Sequence, residues 1–132
     1  MNNQDLVFLS ATELANKIRE KQISPVEVVK AYLDRITVVD PKLNAYITVL
    51  ADEALVAAHE AETDITSGLN KGPLHGVPVG VKDQIHTKGI RTSSASRIRS
   101  DFVPDVDAAV VSGLRKSGAI ILGKLNMTEF AM

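Results

Sequence analysis

Apolar residues recur at helical spacing in the first half of this chain and gather into short glycine-bounded runs in the second. Leu14 and Ile18 stand four apart behind Ser10-Ala-Thr-Glu13. That order is a capping box, in which the serine hydroxyl takes a free backbone N–H and the glutamate reaches back to the cap. It predicts a short amphipathic helix from about residue 11 to 21. Ser24-Pro25-Val26-Glu27 repeats the signal with proline at the first helical position, where its missing N–H is no loss. Val29, Leu33 and Ile36 mark one face of this second helix, and Asp40-Pro41 is expected to close it. Residues 44–50, NAYITVL, are β-branched and aromatic enough to predict an extended stretch. A third helix is predicted from about 51 to 67, with Ala54, Ala57, Ala58 and Ala61 as a small-residue stripe and Gly68 as its stop.

The pattern changes after residue 70. Asn70 to Gly76 lacks periodicity and reads as a loop, followed by a short strand over Val77 to Val81. A long glycine-, serine- and arginine-containing connection then runs from about 84 to 104. Asp107 is expected to cap a helix with Val110, Val111 and Leu114 inward and Gly118 at its end. Ala119 to Gly123 is a second apolar strand, and Thr128 is placed to cap a further helix that the chain does not complete. Strand, helix, strand is a βαβ unit, the building block of parallel sheets. The expectation is therefore an α/β fold within a single domain 1–132, with a helical segment over 1–68 and the first βαβ portion of a sheet over 74–132. Two strands alone would leave both edges and one face bare, and GKLNMTEFAM stops on an apolar pair, so an incomplete sheet is expected.

Composition narrows the classes. Fifteen basic and 16 acidic residues leave a net charge of −1, which gives no bulk reason for binding nucleic acid or an anionic membrane. The absence of cysteine excludes disulfides, zinc–thiolate sites and thiol nucleophiles. The start MNNQDLVFLSATELA lacks the basic and cleavage features of a signal peptide, and no apolar run approaches the ~20 residues of a membrane span. A soluble, cytoplasmic protein is expected.

Lys82 is the residue that asks for an explanation, because the apolar run GVPVGVKDQ leads straight into it. Alternation places Val77, Val79, Val81 and Asp83 on one face of the strand and Pro78, Gly80 and Lys82 on the other. Lys82 thus lies on the sterically open side, at the carboxyl end of the strand, where open α/β sheets place their ligand sites. The same geometry also fits a solvated strand-end lysine. The glycines do not make a phosphate loop, since the spacing from Gly76 to Gly80 is wrong, Val81 precedes Lys82, and Asp83 replaces the required hydroxyl. His59, His75 and His86 are not spaced as a metal pair, so neither a metal nor a cofactor is expected. Arg91, Arg97 and Arg99 with Ser93, Ser94, Ser96 and Ser100 read as a solvated loop that could touch an anion or a polar substrate.

The segments GPLHGVPVGVKDQIHTKGIRTSSAS and PDVDAAVVSGLRKSGAIILGKLNMTEFAM closely resemble the N-terminal third of the amidase signature family. LSATELANKIREKQISPVEVVKAYLDRI and LNAYITVL resemble it as well, so four segments in order carry the resemblance along nearly the whole chain. The resemblance implies an α/β/α sandwich with a mixed sheet, here incomplete, preceded by the N-terminal helices. It also implies hydrolysis of linear carboxylic amides by a serine, a cis serine and a lysine, with Lys82 as the lysine. A lysine at its ordinary pKa of about 10.4 is protonated at neutral pH, so the role requires desolvation to favour the neutral amine. The amine would then take a proton relayed through the cis serine, and backbone N–H groups would hold the oxyanion.

Both family serines lie in a glycine- and serine-rich motif downstream of the lysine, and this chain has no such motif. Ser93-Ser94 lacks the flanking glycines and is not taken as a substitute, so the chain alone is expected to be inactive. Phe130-Ala131-Met132 matches the start of a substrate-lining segment, which would put Met132 near the pocket of a complete enzyme. Gln84 stands where the family usually has asparagine. Two branches fit. Gly72-Pro-Leu-His-Gly76 and Lys82-Asp-Gln84 favour a general amidase acting on a small-molecule amide. The alternative is the glutaminase component of the aminoacyl-tRNA amidotransferase, its A subunit, which releases ammonia from glutamine for a partner that amidates mischarged tRNA. A further alternative is a non-catalytic fragment that self-associates through bare strand edges.

Overall fold

The computed structural model describes residues 3–132. A four-residue helix α1 (Asn3–Leu6) precedes α2 (Ala11–Arg19) and α3 (Pro25–Leu43). Then come β1 (Tyr46–Val49), α4 (Ala51–Thr66), β2 (Pro78–Lys82), α5 (Ala109–Lys116) and β3 (Ile120–Leu125). Short 3₁₀ turns cover Arg97–Arg99 and Glu129–Ala131.

The predicted caps form at both early helices. Glu13 N–H donates to Ser10 Oγ at 3.2 Å and Ser10 N–H donates to Glu13 Oε2 at 2.8 Å, while Val26 N–H donates to Ser24 Oγ at 3.0 Å. Two boundaries differ from expectation. Helix α3 continues through Pro41 to Leu43, because a proline in the last turn removes only one intrahelical bond. The stop is made by Asn44 in the left-handed conformation, with the Asp40 carboxylate accepting Ala45 N–H at 2.7 Å. Asp107 does not cap α5. Ala108 holds the cap position, and Asp107 instead accepts Lys88 N–H at 2.7 Å and pairs with Arg115 Nε at 3.2 Å. Within α5, Val111 is buried and Val110 is exposed, against the expectation for Val110.

The sheet has three strands in the order β1-β3-β2, with β2 and β3 parallel and β1 antiparallel to β3. It is mixed, as the resemblance implied. On one face the alanine stripe of α4 (Ala54, Ala58, Ala61) packs with Val26 and Val29 of α3 against Ile120 and Leu122. On the other, α5 and the loop after β2 pack Val111, Ile85 and Ile90 against Val81 and Ile121. Residues 120–124 are therefore buried from both sides, so the bare face expected of a two-strand unit is not found at β3.

Register decides where one side chain goes. Val79 pairs with Ile121, but Gly80 pairs with Gly123, so Leu122 is an extra residue on β3. This bulge reverses the alternation beyond it. Lys124 consequently sits opposite Val81, on the α5 face, instead of following Ile120 and Leu122 toward α3 and α4.

Candidate functional site

Lys82 ends β2 opposite Leu125, and its carbonyl accepts Ile85 N–H at 3.0 Å. Its face of the strand is not empty. A Cβ added at Gly80 would lie 2.9 Å from Leu125 Cδ2, so Leu125 fills the space that glycine vacates. Lys82 itself is exposed, and the desolvation that a neutral amine requires is not supplied by the described residues.

A different lysine is enclosed. Lys124 is 0% exposed and is the largest fully buried side chain among the described residues. Its Nζ donates to Ile85 O and to Thr92 Oγ1, each at 2.8 Å, and stands 3.9 Å from Asp83 Oδ1. Burial lowers the Lys124 pKa, and the Asp83 carboxylate opposes that shift. Asp83 is also buried, and its Oδ2 accepts Ser93 N–H at 3.0 Å and Ser93 Oγ–H at 2.6 Å. Asp83 and Lys82 do diverge as alternation requires, and the carboxylate pairs with Lys124.

The serine- and arginine-containing loop is thus not a solvated one. Thr92, Ser93, Ser94 and Ser96 are buried; Lys124 Nζ donates to Thr92 Oγ1, Asp83 accepts the Ser93 hydroxyl and Glu129 accepts the Ser96 hydroxyl, partners that let these three leave water. Arg91 and Arg97 do reach solvent. Arg99 is half-buried, lying 4.1 Å over the Phe102 ring and 3.3 Å from His86 Nε2. The loop also meets the terminal segment: Phe130 N–H donates to Ser94 O at 3.0 Å, and Ser96 Oγ–H donates to Glu129 Oε1 at 2.7 Å. Met132, at the end of that segment, is 93% exposed.

His59 lies on the exposed side of α4, while His75 and His86 are in loops, as expected. His75 is buried against Gly118, with Nδ1 accepting Lys71 N–H at 3.2 Å and Nε2 3.7 Å from Asp64 Oδ2. Among the described residues, no group of His, Asp and Glu is placed to hold a metal ion, and no helix is long and apolar enough to cross a membrane.

The family model described as Amidase matches residues 27–132. This chain belongs to the amidase family. The amidase chain is 48% identical over 128 residues to the A subunit of the glutamyl-tRNA(Gln) amidotransferase of Carboxydothermus hydrogenoformans, covering 97% of itself and 26% of that protein. It is 51% identical over 128 residues to the corresponding protein of a Geobacter species, strain M21, again covering 97% of itself and 26% of that protein. Among solved structures it resembles native peptide amidase from Stenotrophomonas maltophilia, with a TM-score of 0.87 and 34% identity over 93% of this chain and 26% of that one. Fatty acid amide hydrolase gives a TM-score of 0.89 and 32% identity over 95% of this chain and 22% of that one. The chain spans about a quarter of the length of the relatives it matches, against the third expected.

Lys124, Asp83 and Thr92 were not singled out from sequence. The available signal was a lysine placed directly after an apolar run, AIILGK, with no turn between.

Proposed function

We propose that this chain is the N-terminal portion of an amidase-signature hydrolase that cleaves carboxylic amides, with Lys82 as the base of a serine, cis-serine, lysine mechanism. The observation that carries the reading is the position of Lys82. It stands at the carboxyl end of a parallel strand, beside a loop whose Ser93 and Thr92 hydroxyls are held by Asp83 and Lys124. Lys82 has its backbone fixed here, and the remainder of the enzyme supplies the two serines and the burial that favours a neutral amine. Met132 belongs near the same pocket, because its segment is tied to the loop through Ser94 and Ser96.

The test is a chimera in which residues 1–132 replace the matching quarter of the Stenotrophomonas peptide amidase. It should hydrolyse a peptide amide, and Lys82→Ala should lower kcat by about 10²–10⁴-fold, the usual contribution of a general base. Undiminished turnover would return Lys82 to a solvated strand end. The chain alone should show no turnover, and activity lost with Ser93→Ala or Ser94→Ala would relocate the nucleophile.

A second reading has its own support. Identities of 48% and 51% to the glutaminase components of amidotransferases favour that branch over the general amidase suggested by Gly72 to Gly76 and Gln84. Glutamine would then be the amide, ammonia the product, and an amidotransferase partner in the cytoplasm the acceptor. Glutaminase activity of the complete protein that rises with charged tRNA and its partner proteins would decide for it. In isolation, the free edge of β2 and the exposed Ile98 and Phe130 suit self-association, read by sedimentation of the purified chain.

A further inference from the structure

Lys82 and Lys124 occupy adjacent strands one register step apart, Lys82 opposite Leu125 and Lys124 opposite Val81. Alternation sends them to opposite faces, and of the two only Lys124 is enclosed. A buried ammonium is expensive, and an apolar side chain of similar volume commonly stabilises a core as well or better. What an ammonium adds is direction, because it carries three hydrogens that need three acceptors. Two of them go to Ile85 O and Thr92 Oγ1. The remaining one has Asp83 Oδ1 within 3.9 Å, a buried oxygen with no hydrogen-bond partner among the described residues.

All three acceptors lie in the loop that begins immediately after Lys82. Asp83 closes the loop on itself by accepting Ser93 N–H and Oγ–H, and its carbonyl accepts Ser94 N–H at 3.2 Å. Ser94 and Ala95 are both left-handed, with φ of 55° and 52°, a conformation that needs such restraint. Backbone bonds on either side of Lys82, Asp83 N–H to Leu125 O and Ile85 N–H to Lys82 O, each 3.0 Å, then set where its side chain leaves the strand.

We infer that Lys124 is a positioning residue for Lys82: through Asp83, Ile85 and Thr92 it clamps the 83–94 loop to the end of β3 and fixes the backbone from which Lys82 projects. The Leu122 bulge is part of the device, since without it Lys124 would face α3 and α4. The inference rests on Lys82 being the base, but the clamp can be tested without turnover.

The experiment compares the full 132-residue chain with Lys124→Met and Thr92→Val by amide hydrogen exchange, following also the ¹³C resonance of methylated Lys82. Thr92→Val removes one acceptor at constant shape and retains the buried charge, so it serves if Lys124→Met does not fold. Loss of one such charge-assisted bond should speed exchange at Asp83, Ile85, Ser93 and Ser94 roughly 10-fold or more. The Lys82 resonance should shift or broaden in both variants, and in Thr92→Val, which keeps the buried charge pair, amides of Val29 and Ala58 should stay within the wild-type range. An equal rise across the whole chain in Thr92→Val, or an unchanged loop and Lys82 signal, would overturn the clamp. Lys82→Ala in the chimera separately tests the base, so either idea can fail while the other stands.

Discussion

Asp83 and Lys124 face each other beneath the β2–β3 pair, both buried, with Oδ1 and Nζ 3.9 Å apart. Removing either partner leaves the other charged and unpaired in a low-dielectric site. Asp83→Asn should therefore destabilise the chain by about 3–5 kcal/mol, and the double variant with Lys124→Met by less than the two single changes together. Urea unfolding of the four proteins measures the coupling, and strict additivity would mean the charges do not interact.

His75 gives a pH dependence of defined sign. Its pKa is lowered, first by burial and second by the Lys71 charge, with Asp64 pulling the other way. The unfolded chain thus binds a proton below the ordinary histidine value of about 6.5 that the folded chain resists. Stability should be full above that value and fall as pH drops through the window between it and the depressed folded value. His75→Asn should flatten this part of the profile, whatever its effect on stability at neutral pH. Thermal melts between pH 5 and pH 8 provide the check.

Two glycines are required by what lies against them. Gly118 has φ +78° and is covered by the His75 ring, so Gly118→Ala would combine a left-handed penalty with a clash. A loss of about 1–3 kcal/mol is expected in thermal or urea unfolding. At Gly123 an added Cβ would run into the Thr48 carbonyl, so Gly123→Ala should detach β1 from β3. Faster exchange confined to the β1–β3 amides would show it, and an unaltered β1 would contradict the pairing.

The α3–α4 contact is close because Ala58 lies in it, fully buried against Val26 and Val29. Ala58→Leu should destabilise by about 1–3 kcal/mol through overpacking, measured by chemical denaturation. A neutral result would place the α4 stripe away from the core.

Much of the fold was legible because its signals are local. Ser10 with Glu13 and Ser24 with Pro25 define helix starts through groups at most three residues apart, and both caps form. The alanine stripe and the βαβ order also survive, since a helical or extended period records which face is buried. Expectation and structure part where one side chain has a distant alternative. Asp107 leaves the α5 cap because Lys88 N–H and Arg115 compete for its oxygens. The serine loop looks solvated by composition, yet it folds under Lys124, which is 32 residues beyond Thr92 in the chain.

By itself the sequence determined the order of elements from α2 to β3, the parallel β2–β3 unit, and Lys82 at a strand end within an amidase-family chain. Each of these follows from periodicity, capping chemistry or motif, all properties of neighbouring residues. Only the tertiary structure decided that β1 joins the sheet, that Lys82 is exposed here, and that Lys124 is the buried lysine. A single extra residue at Leu122 turns β3 so that Lys124 meets Asp83 and Thr92. A bulge is a relation between two strands, so the local pattern of β3 does not by itself encode which face Lys124 will take.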